Sequence, residues 1–90
     1  MIRSIRHKGL RQFARTGDAS KLSVPNAGRV RRVLARLDAS VTPADMNLPG
    51  FHFHSLSGVE RYSVRITGNR RLTFGWDGED AVDVDLEDYH

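Results

Sequence analysis

The sequence predicts an α+β domain in which an N-terminal helical hairpin packs on one face of a small antiparallel sheet. Three observations predict it. Between residues 8 and 38 the apolar positions recur at helical spacing. From Phe51 onward they recur at every second position, in four separate segments. The turn-forming pairs Ser57-Gly58, Gly68-Asn69 and Asp77-Gly78 punctuate those segments. No repeat, low-complexity tract or linker interrupts the chain, so residues 1–90 read as a single domain.

Each element follows in order. Residues 2–5 have the composition of a short strand. Lys8 to Arg15 read as a first helix, with Leu10, Phe13 and Ala14 on one face and Gly17 as its stop. After a polar loop, Ser23 offers an N-cap and Pro25 fits the first turn of a second helix running to about Asp38. Its apolar stripe is Ala27, Val30, Val33, Leu34 and Leu37, with Arg29, Arg31, Arg32 and Arg36 mostly outside it. Two short amphipathic helices are not stable alone, so their shared apolar side needs a sheet to cover.

The sheet has four segments. Phe51 and Phe53 alternate with His52 and His54. Tyr62, Val64 and Ile66 alternate with Arg61, Ser63 and Arg65. Leu72, Phe74 and Trp76 alternate with Arg71, Thr73 and Gly75. Val82, Val84 and Leu86 alternate with Asp83, Asp85 and Glu87. Opposed residues of an antiparallel pair point to the same face. A strict two-residue loop at Gly68-Asn69 would set Ile66 against Arg71 and mix core with solvent. The pattern therefore predicts an odd-length loop or a bulge there, and the same counting applies at Asp77-Gly78. The polar face then carries His52, His54, Arg61, Arg65, Arg71 and Thr73, with the acids of the last strand beside them.

Composition narrows the function. The hydrophobic fraction of 39% supports a folded core. No apolar run approaches a membrane span, and no apolar leader opens the chain. Cysteine is absent, so neither disulfides nor thiolate metal sites hold the fold. The net charge of +3 conceals a polarity: residues 1–36 hold ten Lys/Arg and one acid, whereas residues 77–90 hold seven acids and no Lys/Arg. The basic part suits a polyanion such as nucleic acid, or is simply a solvated helical surface. The asymmetry also predicts that the acidic end sits near basic residues in the fold.

The candidate chemistry lies in His54, Arg71 and the terminal Asp88-Tyr89-His90. Alone, a strand histidine is commonly a plain surface residue, and Arg71 could be an ion-pair partner for Asp83 or Asp85. Together they supply two imidazoles, a carboxylate, a phenol and a guanidinium. Phosphodiester cleavage by general acid–base chemistry needs such a set: one group to take the proton of the attacking 2′-hydroxyl, one to protonate the leaving oxygen, and a cation to stabilise the phosphorane. The rival use is a metal site at His52-x-His54, completed by His90 or Asp88. That spacing is unspecific and the neighbouring arginines oppose a cation. No Gly-rich phosphate loop and no Ser-His-Asp signature is present.

The stretches MIRSIRHKGLRQF, DMNLPGFHFHSLSG, YSVRITGNRRLTF and DVDLEDYH, in that order, resemble the HigB group of RelE/ParE-superfamily toxins nearly end to end. The resemblance implies a RelE-like fold and a ribosome-dependent endoribonuclease, an mRNA interferase that cuts mRNA in the 30S A site without metal or other cofactor. It implies a HigA-like antitoxin with a helix-turn-helix domain as partner; the lack of a membrane-length run and of cysteine fits a cytoplasmic location with no membrane partner. The family's strand histidine, in H-P-L-K-G, matches His54 in HSLSG. The basic residue of its N-W-R-[IL]-T-F matches Arg71 in NRRLTF, and its terminal D-Y-H matches Asp88, Tyr89 and His90. The histidines and the acid are the implied acid–base set, and Tyr89 the nucleotide-stacking group. Ser55 and Ser57 replace the family's Pro and Lys, so Arg61 or Arg70, together with Arg65, are the expected RNA-binding cations. The alternative on the same fold is a ParE-like gyrase inhibitor, which has no need of His54 with a terminal DYH.

Overall fold

The computed structural model describes residues 1–88. Its order is α1 (Lys8–Thr16), α2 (Ala27–Ala39), a 3₁₀ turn (Pro43–Met46), β1 (His54–Ser55), β2 (Arg61–Arg65), β3 (Arg70–Asp77) and β4 (Asp80–Asp88). The strands form one antiparallel sheet in sequence order, with the helices N-terminal to it. The expected α+β architecture is therefore present.

Local chemistry sets the helix ends. His7 caps α1 through Nδ1, which accepts from the Leu10 N–H at 3.0 Å. Gly17 closes it in the left-handed conformation (φ 81°), donating its N–H to the Phe13 carbonyl. The cap of α2 is Asn26, not Ser23: Asn26 Oδ1 accepts from the Arg29 N–H at 3.0 Å. Pro25 consequently precedes the helix. Asp45 reaches back to the N–H groups of Val41 and Thr42 at 2.9 and 3.1 Å, anchoring the 3₁₀ turn.

The core joins both layers. Leu10 and Phe13 from α1 and Val30, Val33, Leu34 and Leu37 from α2 pack in one cluster with Val64, Leu72, Phe74, Val84 and Leu86. Each such side chain contributes about 1.5–3 kcal/mol of burial. Ala27, expected in the stripe, is only partly buried.

Parity is satisfied in two different ways. Between β2 and β3 the ladder ends at Arg65 opposite Arg71, leaving an odd-length connection. Between β3 and β4 the turn is tight, Asp77 opposite Asp80, and the correction comes later as a bulge. Gly75 opposes Val82 but Thr73 opposes Asp85, so Phe74 faces both Asp83 and Val84. Asp83 takes φ 50° there. Its N–H is received by Ser4 Oγ at 2.8 Å, and its carbonyl accepts from Arg61 at 2.9 Å, so neither backbone group is left unpaired. The bulge reverses the phase before it. Ala81 is buried in place of Val82, which lies across the sheet beside Gly75.

The N-terminal segment covers the β4 edge. Ile2 and Ile5 make parallel bridges to Ala81 and Val84, straddling the bulge, where a continuous short strand was expected. Arg3 grips Asp77 and Asp80, and Arg6 lies 3.9 and 4.0 Å from Asp83 and Asp85. The charge asymmetry of the sequence is thus resolved as a basic segment laid along an acidic strand. β1 is shorter than the Phe51–His54 alternation suggests. His52 has φ 49°, which breaks the extended chain and leaves His54 as the first ladder residue.

Candidate functional site

The open face of the sheet follows from register. His54, Ser63, Thr73 and Asp85 form one row across all four strands. Arg65, Arg71 and Glu87 form the next on β2, β3 and β4, and Arg61, Gly75 and Val82 another. The long residues are cationic or acidic and the central ones small. Ser63 and Thr73 are nearly inaccessible, and the side chains of Arg61 and Glu87 both reach the Thr73 hydroxyl.

A cleft of about 320 Å³ opens on this face, lined by His54, Ser55, Leu56, Ser57, Ser63 and Arg71. His54 is exposed on its rim and Arg71 is half-buried. An imidazole and a guanidinium therefore border one hydroxyl-lined depression. That arrangement can bind a phosphate and exchange a proton beside it.

The remaining candidates divide. Arg61 and Arg65 share the face of His54 and Arg71. Arg61 also has structural work: Nη2 donates to Thr73 Oγ1 at 3.1 Å and to the Asp83 carbonyl. The Thr73 hydroxyl in turn donates to Glu87. Glu87 is thus an acid on the cleft side that the sequence reading treated as background; its alternation in LEDYH was the available signal. Asp88 opposes Arg70, so the pleat turns both toward the face of Leu72 and Leu86. Arg70 Nε is buried with no hydrogen-bond partner among the described residues. Tyr89 and His90 lie outside the described residues.

The rival metal set is not assembled among the described residues, where no three His, Asp or Glu groups come together. His52 lies in the loop before β1, not on the strand with His54. No helix among the described residues is long and apolar enough to cross a membrane.

A helical hairpin on a four-stranded antiparallel meander, with cations and an imidazole on its open face, has the architecture of the RelE-like toxins. Residues 3–90 match the HigB-like toxin family, described as the RelE-like toxin of the type II toxin–antitoxin system HigB. The chain belongs to that family. It is 29% identical to the Endoribonuclease HigB of Proteus vulgaris, over the full length of both chains. A toxin of a type II system has an antitoxin as its partner.

Proposed function

We propose that this protein is an endoribonuclease that cuts mRNA in the ribosomal A site by general acid–base catalysis without a metal ion, and so inhibits translation. The observation that supports it best is His54 and Arg71 on one cleft of the open sheet face. The similarity to an endoribonuclease along both chains supports the same class.

The reaction assigns each group a task. His54, neutral, takes the proton of the 2′-hydroxyl as its oxygen attacks the adjacent phosphorus. Arg71 donates to the non-bridging oxygens as negative charge accumulates on them. His90 gives a proton to the departing 5′-oxygen, leaving a 2′,3′-cyclic phosphate and a 5′-hydroxyl. Tyr89 stacks on the nucleotide base. His54 is preferred to Asp88 as the base, because it shares a face with Arg71 whereas the pleat turns Asp88 away. Asp88 then acts from the strand end, on the orientation of the terminal groups. Each proton transfer contributes about 10²–10⁴-fold.

Arg61 and Arg65 are the RNA-binding cations on the cleft face, standing in for the lysine that Ser57 replaces; Arg70, also expected in that role, is turned to the opposite face beside Asp88. The ribosome supplies single-stranded codon RNA whose bases can be splayed, and a polyanion on which a basic protein docks with salt-dependent affinity. The setting is cytoplasmic and the partner a HigA-like helix-turn-helix antitoxin. The test is purified ribosomes programmed with mRNA, with EDTA replacing free magnesium after assembly and crosslinking. Cleavage persists with EDTA and is lost in His54→Ala combined with His90→Ala. Loss of cleavage on chelation of intact ribosomes, or its survival in the double variant, contradicts the mechanism.

A further inference from the structure

Arg29 belongs to the basic series of α2, yet it turns inward. Nε and Nη2 donate to the Arg65 carbonyl at 3.2 and 2.7 Å, and Nη2 also donates to the Gly50 carbonyl at 2.7 Å. Its guanidinium lies over the Phe51 ring, 5.6 Å from the centroid. The Arg65 N–H donates to the Phe51 carbonyl at 2.8 Å. Both backbone groups of Arg65 are therefore committed to one junction, where α2, the loop before β1 and the end of β2 meet.

That junction lies beside the cleft on two sides. Downstream of Phe51 the chain reaches His54 within three residues, through the left-handed His52. β1 has only two ladder pairs, His54 with Ser63 and Ser55 with Tyr62, too few to fix a strand by themselves. Stacking of Phe53 on Tyr62, at 5.7 Å between centroids, adds one further hold. On the other side, Arg65 opposes Arg71. One guanidinium thus ties the approach to His54 to the strand position facing Arg71.

We infer that Arg29 is a positioning residue, a latch that holds β1 on β2 and thereby sets His54 relative to Arg71. Only a planar fork can serve it. Two donors converge on one carbonyl while one of them also reaches a second carbonyl, and the flat face stacks on Phe51. A lysine keeps the charge but offers neither the fork nor the plane. The consequence for turnover rests on the nuclease reading above; the latch itself does not.

The test compares Arg29→Lys with the wild type and with Arg32→Ala, an exposed cation on the same helix. Amide hydrogen exchange is read at Arg65, which donates to Phe51, and at Leu56, which donates to the Arg61 carbonyl at the far end of β1. In Arg29→Lys both exchange at least about tenfold faster, while β3 amides and the thermal midpoint stay near wild type, as expected of local opening. Arg32→Ala leaves both unchanged. In the ribosome assay kcat falls about 10²-fold with KM nearly constant, because a displaced general base loses alignment rather than binding. Unchanged exchange at Arg65 and Leu56 overturns the latch. Faster exchange with unchanged kcat overturns its role in placing His54. A wild type that cuts no RNA removes the nuclease reading, and the exchange data still decide the latch.

Discussion

Arg65 on β2 stands directly opposite Arg71 on β3. Like charges in that relationship are unfavourable in a sheet. The pair concentrates positive charge beside the cleft that His54 borders, at a cost to the fold. Arg65→Thr should raise stability by about 0.5 kcal/mol, from relief of cross-strand repulsion and better strand propensity. The same change should weaken ribosome or RNA binding and lower the salt slope by about one phosphate contact. Urea unfolding and salt titrations of binding read the two effects separately.

Arg71 carries the charge-stabilising role, so its replacement should act on the transition state. Arg71→Ala is expected to lower kcat by about 10²–10³-fold, the size typical for losing a donor to developing negative charge. KM should move far less. Single-turnover cleavage on programmed ribosomes measures it, and an equal rise in KM without loss of kcat would assign Arg71 to binding alone.

Gly9 is required for packing, not for a turn. It lies in α1, where a Cβ would fall on the Lys21 carbonyl oxygen and within 2.8 Å of its carbon. The obstacle is backbone and cannot swing aside. Gly9→Ala should therefore destabilise by about 3 kcal/mol despite its better helix propensity, the upper end for overpacking. The urea midpoint should fall with an unchanged slope.

Acid should weaken the fold through three surface carboxylates. Hydrogen bonds from the Val41 and Thr42 N–H groups hold Asp45 below its ordinary value; the Ser20 N–H does so for Asp18, and the Arg3 guanidinium for Asp80. A depressed folded pKa stabilises the native state fully above the unfolded value, near 4, and that stabilisation disappears as pH falls through the folded value. Unfolding midpoints should decline as pH falls below about 4. Asp45→Asn should shallow that decline. A curve that the substitution leaves unaltered would show that Asp45 is not a contributor.

Much of this arrangement was legible in residue alternation. Strands β2 and β3 follow the pattern position by position, and the mixing of Ile66 with Arg71 that a two-residue loop would cause was enough to foresee an odd connection. The correction in β4 was foreseeable, but its place was not. It sits at Asp83, where Ser4 and Arg61, distant in sequence, can satisfy the displaced backbone groups. Val82 was misassigned for that reason. Ser23 and Asn26 are both good N-cap residue types, and the structure uses the second. Of the site, His54 and Arg71 were readable because period two fixes a face. Alternation also put Glu87 on the cleft side, but the pairing of Asp88 with Arg70, the bond from Thr73 to Glu87 and the inward turn of Arg29 depend on register and tertiary contact, which no local pattern contains.

The central claim is that His54, set against Arg71 on the open sheet face, acts on an mRNA phosphodiester in the ribosome. Primer extension on mRNA from translating ribosomes, with wild type and His54→Ala compared, tests it most directly. The predicted result is cuts within codons that require translation and are lost in the variant. Cuts of equal strength with His54→Ala, or none at all with folded wild type, would contradict it.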